Sequence, residues 1–169
     1  MSAARVGAAR HATTLAVLAA LGLGAVPAAR AAGACAVSIE ANDIMQYNAR
    51  MLQVDGDCES VELTLRHVGK QDAHVIGHDW VLARSGDVAA LSNAGMAAGF
   101  DKGYLPANDP RILAATKVVG GGEAVTIHFS TAGLAQGGDY SFFCSYPGHS
   151  ALMRGRFKFG DKDKVAANH

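Results

Sequence analysis

The most informative segment of this chain lies near its end and reads Phe142-Phe143-Cys144-Ser145-Tyr146-Pro147-Gly148-His149-Ser150-Ala151-Leu152-Met153. It places a thiol, an imidazole and a thioether close together. Thiolate and imidazole ligands suit borderline-soft metals, and a weak thioether beside them is typical of copper sites with two histidines and a cysteine in a plane. The segment therefore predicts a site for one Cu(I)/Cu(II) ion that includes Cys144, His149 and Met153.

A second histidine ligand has to come from elsewhere in the chain, and spacing alone does not select it. The candidates are His67, His74, His78, His128 and His169. His78 lies in the apolar run 75–80, where an imidazole without a partner would be costly to bury. Gly77 beside it would allow the backbone to approach a ligand or a metal closely. His67 ends an alternating strand, His74 lies at the start of a polar loop, and His128 faces outwards in its strand. His78 is therefore the favoured ligand.

Short apolar or alternating runs, separated by turns rich in glycine and aspartate, predict an all-β fold. The predicted strands are 36–40, 61–67, 75–82, 118–119, 124–129, 140–144 and 155–159. Many short strands with such turns are typical of a β-sandwich or barrel. The alanine-rich segment 87–99, flanked by Ser85 and Gly99, predicts one short helix inserted between strands.

The two ends of the chain differ in composition from the part between them. Arg5 and Arg10 precede an apolar run at 15–26, and Ala29-Arg30-Ala31 offers a small-x-small cleavage site, as in secretory signal peptides. The run is shorter than the roughly 20 apolar residues that span a membrane. We therefore interpret 1–31 as a cleaved signal peptide for export to the periplasm. Residues 32–160 form one predicted domain, and the charged segment 161–169 is a predicted disordered tail.

The charge of the chain limits its partners. The predicted signal peptide holds three of the 15 Lys and Arg residues and none of the 15 Asp and Glu residues. The mature protein is therefore mildly acidic and has no basic stripe that could neutralise phosphates, which excludes nucleic acids as partners. We expect a monomer that has no membrane contact after cleavage and that binds other proteins.

Three cysteines in an exported chain leave one thiol unpaired. Cys35 and Cys58 lie early, in polar or strand-edge surroundings, whereas Cys144 follows two aromatic residues and lies near His149. Cys35 and Cys58 are therefore the expected disulfide. The alternative, lipid attachment at Cys35, lacks the usual large aliphatic residue three positions earlier and would leave Cys58 without a partner.

Together these residues resemble the azurins, a family of blue copper proteins with the cupredoxin fold. Plastocyanins place the cysteine and the next histidine closer together than they are here. The resemblance covers nearly all of 32–160, and its matching segments are Cys35 and Cys58 as the disulfide, 42–48 as an early strand, Gly77-His78 as the first ligand region, and Met96, Gly99 and 101–105 as the helical flap. It implies a Greek-key β-sandwich or barrel with one short inserted helix, and single-electron transfer rather than enzymatic catalysis.

The resemblance also assigns the metal ligands. His78, Cys144 and His149 would bind the copper ion in one plane. Met153 would lie on one axial side of that plane, and the carbonyl oxygen of Gly77 on the other.

Further roles follow from the same resemblance. His67 would be a partly buried histidine near the site, and Trp80 a buried core residue. The edge of His149 would reach the surface within an apolar docking patch. Its expected members are Met45, Ile76, Met96, Tyr146, Pro147 and Ala151. The partners would be periplasmic redox proteins such as c-type cytochromes and copper nitrite reductase.

The chain departs from the azurin pattern in places that concern the site. Asp79 stands where azurins usually have asparagine, and its carboxylate could shift the reduction potential or be held by the same backbone donors. Tyr47 and Tyr146 replace phenylalanines.

Three other functions share some of these residues. Cys144 and His149 could be the nucleophile and base of a cysteine hydrolase, but Met153 would then have no role. A copper-resistance protein or copper chaperone would be expected to hold the ion in an open site rich in methionine or histidine. A zinc site would use cysteine and histidine but not methionine.

Overall fold

The computed structural model describes Met1 and residues 35–160 of the chain. Apart from Met1, the predicted signal peptide lies outside the described residues, and so does the predicted tail 161–169. Residues 35–160 lie within one compact unit. No helix in this part of the chain reaches the length and apolar character of a membrane span, and the longest of them has 11 residues.

Within residues 35–160, nine strands form two sheets. In chain order they are β1 (Ala36–Asn42), β2 (Gln46–Tyr47), β3 (Met51–Val54), β4 (Ser60–His67), β5 (Val81–Arg84), β6 (Ala114–Ala115), β7 (Ala124–Ser130), β8 (Tyr140–Phe143) and β9 (Arg154–Phe159). One sheet has the order β2-β1-β4-β7, and the other β3-β9-β8-β5-β6. The pairs β1–β4 and β3–β9 are parallel, and the others are antiparallel. The prediction of an all-β sandwich is confirmed.

The helices lie in the connections between strands. They are the one-turn helix α1 (Ala73–Ile76) and the longer α2 (Val88–Ala98), with 3-10 turns at Ser85–Asp87 and Phe100–Lys102. Helix α2 is the predicted inserted helix. It ends at Gly99, whose positive φ of 80° favours glycine.

Alternating side chains of the strands build the core between the two sheets. In β4 every second residue is buried, and Val61, Leu63 and Leu65 are fully covered. Trp80 is also fully buried, with its ring centroid 6.1 Å from that of Phe142. The expectation that Trp80 is a core residue is confirmed. The sandwich thus gives the adjoining loops a rigid, close-packed base.

Residues 75–82 do not form the strand that their apolar pattern predicts. The segment begins inside helix α1, and β5 starts only at Val81. The Asp72 side chain accepts a hydrogen bond of 2.8 Å from the backbone N–H of His74. Such a cap satisfies a donor at the helix N-terminus, so it stabilises a helical turn in spite of the β-branched residues that follow.

Gly77 and His78 form an extended connection between α1 and β5. A β-carbon at Gly77 would lie 2.4 Å from the carbonyl oxygen of Ala73 and 2.5 Å from a methyl group of Val118, so only glycine fits. His78 and Val119 form an isolated bridge, and the predicted strand 118–119 consists of this bridge alone. The bridge holds the backbone from which His78 enters the interior.

Two other expectations concern the start of the domain. The segment 42–48 is not one strand, because β1 ends at Asn42, a turn with a positive φ at Met45 follows, and β2 pairs back on β1. Cys35 and Cys58 form the expected disulfide, and Cys144 is a free, buried cysteine.

Candidate metal centre

Three buried side chains from two parts of the chain meet at one end of the β5–β8 strand pair. Cys144 directly follows β8, His149 lies in the loop between β8 and β9, and His78 precedes β5. Their possible ligand atoms all lie within 4.8 Å of one another. The Sγ atom of Cys144 is 3.6 Å from Nδ1 of His149 and 3.9 Å from Nδ1 of His78.

These distances can be compared with those of a metal site. A metal bound in a plane at about 2.3 Å from sulfur and about 2.0–2.1 Å from nitrogen places the sulfur and nitrogen atoms about 3.8 Å apart. The two observed distances of 3.6 and 3.9 Å fit this spacing. One thiolate and two imidazoles are also a donor set that copper accepts well. The residues present therefore fit a single copper ion.

A main-chain carbonyl group orients His78. Nε2 of this histidine lies 2.9 Å from the carbonyl oxygen of Asn42, to which it donates a hydrogen bond. Nε2 then carries the proton of the neutral imidazole, and Nδ1 keeps a free lone pair on the side of Cys144. Asn42, at the end of β1, thus selects the nitrogen atom that can bind a metal.

Burial sets the protonation of the three groups. It lowers the pKa of His78 to about 4, and it also lowers the pKa of His149. Burial, followed by the nearby Asp79 carboxylate, raises the pKa of the Cys144 thiol well above its ordinary value. At neutral pH both imidazoles are therefore unprotonated and the thiol keeps its proton until a metal replaces it.

Binding of Cu(II) at pH 7 should release about one proton per ion, because only the Cys144 thiol has a proton to lose. The measurement is calorimetric titration in buffers of equal pH and different ionisation enthalpy. Release of two protons would show that a histidine is charged in the metal-free protein. No release would show that the thiol is already ionised.

Backbone hydrogen bonds close the loop that holds the ligands. The Cys144 N–H donates to the Met153 carbonyl oxygen at 3.0 Å, and the Met153 N–H donates to the His149 carbonyl oxygen at 2.7 Å. Arg50 donates from Nη1 to the carbonyl oxygens of Leu152, at 2.7 Å, and Arg154, at 3.2 Å. Met153 is fully buried between these two anchored residues. The structure thus brings Met153 and Cys144 together through their backbones.

A buried pair of polar side chains supports the residue next to Cys144. The Asp79 carboxylate accepts hydrogen bonds from the Ser145 backbone N–H, at 2.7 Å, and the Ser145 hydroxyl, at 2.5 Å. The Tyr47 hydroxyl donates to the Asp79 carbonyl oxygen. Burial raises the pKa of Asp79 to about 6, although the bonds from Ser145 oppose the shift. Of the two possibilities considered for Asp79, the structure shows that a backbone donor, the Ser145 N–H, holds the carboxylate.

Comparison with known proteins agrees with this geometry. The sequence profile of the copper binding proteins of the plastocyanin/azurin family matches residues 33–160. The chain belongs to this family. Azurin of Bordetella pertussis is 46% identical over 130 residues, which are 77% of this chain and 87% of that protein. Azurin-1 of Alcaligenes xylosoxydans xylosoxydans is 44% identical over 127 residues, or 75% of this chain and 98% of that protein.

Comparison with solved structures also finds an azurin. The azurin Az-iso2 from Methylomonas sp. strain J matches with a TM-score of 0.72 and 35% identity, covering 75% of this chain and 98% of that one. The fold is therefore the cupredoxin sandwich, and the azurin resemblance is confirmed. The protein is a blue copper electron carrier and not an enzyme.

The burial of the azurin-like site also argues against the alternative functions. The Cys144 side chain is fully buried and its thiol has a raised pKa, whereas a catalytic nucleophile needs access and a lowered pKa. All three donors are buried rather than arranged in the open site expected of a copper chaperone.

The other histidines in residues 35–160 lie outside the donor group. His67 is fully buried, so the expectation of a partly buried residue is wrong in degree, because it ends the inward-facing row of β4. Its Nε2 atom is 3.1 Å from Asp43 and its ring is 4.6 Å from that of His78. His74 stacks on Phe100, and His128 is exposed beside Glu62.

The residues of the expected docking patch are partly or fully exposed. Met45, Ile76 and Tyr146 are half-buried, and Met96, Pro147 and Ala151 are exposed. His149 itself keeps only 4% of its surface accessible. The Tyr146 ring lies 4.7 Å from that of His149 and covers part of it.

Several residues near the site were missed by sequence reasoning. Tyr104 lies 4.9 Å from Tyr146, and Phe100 continues this row of aromatic rings towards His74. The aromatic residues of 100–104 were a usable signal in the sequence. Asn42 and Arg50 gave no such signal in the sequence. Asn42 acts through its own main-chain carbonyl oxygen, and Arg50 donates to the main-chain carbonyl oxygens of other residues.

Proposed function

We propose that this protein shuttles single electrons between redox proteins of the periplasm, with His78, Cys144 and His149 as the planar ligands of its copper ion. The observation that carries the proposal is the buried group of one sulfur and two Nδ1 atoms at metal-binding distances. A bound copper ion supplies a one-electron couple, Cu(I)/Cu(II). The candidate partners are c-type cytochromes and copper nitrite reductase.

Met153 and the Gly77 carbonyl oxygen complete the proposed ligand set. Met153 is fully buried and its backbone bonds to Cys144 and His149. Gly77 is buried directly before His78. Met153 and the Gly77 carbonyl oxygen would add weak donors to a copper ion held by His78, Cys144 and His149, as methionine does in blue copper sites.

Hydrogen bonds would keep the proposed ligands in place with either Cu(I) or Cu(II) bound. Asn42 holds the His78 ring, Asp79 holds Ser145 beside Cys144, and Arg50 holds the backbone on both sides of Met153. Ligands that are already positioned need not rearrange when the charge changes, and this favours fast electron transfer.

Substitution of Met153 by leucine tests the axial assignment. A thioether sulfur donates electron density that Cu(II) needs more than Cu(I) does, and leucine offers no donor, so we expect a higher reduction potential with the blue colour retained. Spectroelectrochemistry of the copper-loaded protein measures both. Met45→Leu is the control, since Met45 belongs to the patch and not to the ligand set. Equal potentials for Met153→Leu and the wild type would reject the axial role.

Electrons would enter and leave through the edge of His149, the ligand that keeps 4% of its surface accessible. The surrounding apolar patch supports weak docking, which lets a carrier release its partner after transfer. The mildly acidic mature chain and the absence of a basic stripe in the sequence favour protein partners.

Periplasmic location is part of the proposal. The basic and apolar pattern of 1–31 is that of a secretory signal peptide. The Cys35–Cys58 disulfide suits an oxidising compartment.

The patch can be tested with two methionines of equal exposure. Met96 lies in the patch and Met51 lies on β3, and both are 52% exposed. We expect Met96→Glu to slow electron exchange with a c-type cytochrome about tenfold, because a charge must be desolvated on docking. Met51→Glu should change the rate much less, and neither should change the blue band. Equal slowing by both substitutions would show that partners do not dock specifically at the patch. Stopped-flow mixing measures the rates.

A further inference from the structure

The described residues also form a concave site whose lining contains none of the apolar patch residues. It is a cleft of about 410 Å³ on the five-stranded sheet. The residues that matter in its lining are Arg50, Arg154, Arg156, Ser85, Ser141 and Asp139. Arg156 faces Ser141 across the β8–β9 pair, so the cleft is built on regular strands as well as on loops.

The side chains that line this cleft carry a net positive charge. Three guanidinium groups line it and one carboxylate, Asp139, opposes them. The Arg156–Asp139 contact of 3.2 Å is largely exposed to water, where an ion pair contributes little. The cleft therefore keeps an excess of two positive charges, in a protein whose predicted mature form is acidic.

Hydrogen bonds position two of the three arginines, Arg50 and Arg154, and leave donors free. Arg50 uses Nη1 for two backbone carbonyl oxygens, and Arg154 uses Nη2 for the Ser85 carbonyl oxygen, at 3.0 Å, and the Ser141 hydroxyl, at 3.3 Å. Each guanidinium has five N–H donors, so most of them remain for a ligand. Fixed guanidinium groups bind oxyanions better than mobile ones, because less rotamer freedom is lost.

Hydroxyl groups add donors at the base of the cleft. The Ser141 side chain is buried, with its Oγ atom 2.9 Å from that of Ser85. The Ser85 hydroxyl in turn donates to Asp139 at 2.9 Å. A ligand that offers several acceptor oxygens could take over these bonds and compete with the Asp139 carboxylate.

We propose that this cleft binds a small tetrahedral oxyanion, inorganic phosphate or sulfate. The excess of two positive charges matches a dianion, and guanidinium groups pair with such oxygens through parallel N–H bonds. Donors that come from three arginines and two serines suit the four oxygens of a tetrahedral ion better than the two oxygens of one carboxylate. This function is additional to electron transfer. The anion would bind beside Arg154, the residue that follows the proposed ligand Met153.

Calorimetric titration of the copper-loaded protein with sodium phosphate, at ionic strength held constant with chloride, tests the proposal. We expect saturable binding with a stoichiometry of one. Arg156→Gln should weaken it about tenfold or more, since a charge-assisted hydrogen bond is lost. Asp139→Asn should strengthen it several-fold, because the competing charge is removed. Arg66→Gln, an exposed arginine on β4 of the other sheet, should leave it unchanged.

The opposite effects of the two cleft variants separate binding in the cleft from general screening. Equal weakening by Arg156→Gln and Arg66→Gln, or no saturation by phosphate or sulfate, would overturn the proposal. A tetraglutamate peptide that binds where phosphate does not would also overturn it and would assign the cleft to protein carboxylates. The visible spectrum of each variant verifies that it is folded and loaded.

Discussion

Replacement of Cys144 by serine is expected to give a folded protein that no longer turns blue with Cu(II). The intense visible band of such sites comes from charge transfer between a cysteine thiolate and copper, and a hydroxyl group is a harder and weaker ligand. The absorption should fall by more than about tenfold, because the thiolate that gives rise to it is gone. Electron exchange should fall with it. Visible absorption and stopped-flow kinetics measure the two effects.

The control for this variant is a histidine that lies outside the donor group. His128 is exposed on β7 beside Glu62, so His128→Gln should keep both the band and the exchange rate. A similar blue band in the Cys144→Ser protein would contradict the assignment of the thiolate. The fold itself should survive, since serine is close in size to cysteine and the substitution leaves no large cavity.

Replacement of Asp79 by alanine is expected to destabilise the metal-free protein strongly. Both Asp79 and Ser145 are buried, and the substitution leaves the Ser145 N–H without its acceptor, while the Ser145 hydroxyl keeps only the Gly103 carbonyl oxygen, 3.2 Å away. A buried donor without a partner costs about 1–3 kcal/mol, so the free energy of unfolding should fall by about 1–3 kcal/mol. Urea denaturation of the metal-free protein measures the change.

Asp79→Asn separates the hydrogen bonds from the charge. The amide oxygen can still accept from the Ser145 N–H, and the amide nitrogen can donate to the Ser145 hydroxyl, which can turn to the Gly103 carbonyl oxygen 3.2 Å away. We expect stability within about 1 kcal/mol of the wild type. A loss as large as that of Asp79→Ala would show that the negative charge itself is required.

The sequence allowed the ligand loop to be predicted because its chemistry is local. Cys144, His149 and Met153 lie in one segment, and their spacing limits how they can be arranged. His78 was selected from its apolar surroundings even though the strand predicted there is wrong. The reason is that burial of an imidazole depends on the hydrophobicity of the neighbours, which the sequence shows, and not on whether they form a strand or a turn.

The supporting contacts could not be predicted, because they join residues far apart in the chain. Asp79 and Ser145 look like ordinary polar residues until the sheets bring them together. Asn42 acts through its backbone, which every residue has. The short strands β2 and β6 have two residues each, too few for an alternating pattern. The aromatic row from Phe100 to Tyr146 also depends on tertiary packing.

The parallel pairing of β3 with β9 has a consequence for how the protein folds. Met51, early in the domain, pairs with Arg156 near its end, so the five-stranded sheet is completed only when these distant segments meet. Contacts of such long sequence separation slow folding. The same step fixes the backbone around Met153, because Arg50 reaches both sides of it. Closure of the sheet and completion of the metal-binding loop are therefore one cooperative event, and a chain that stops before β9 should be unable to hold copper in this way.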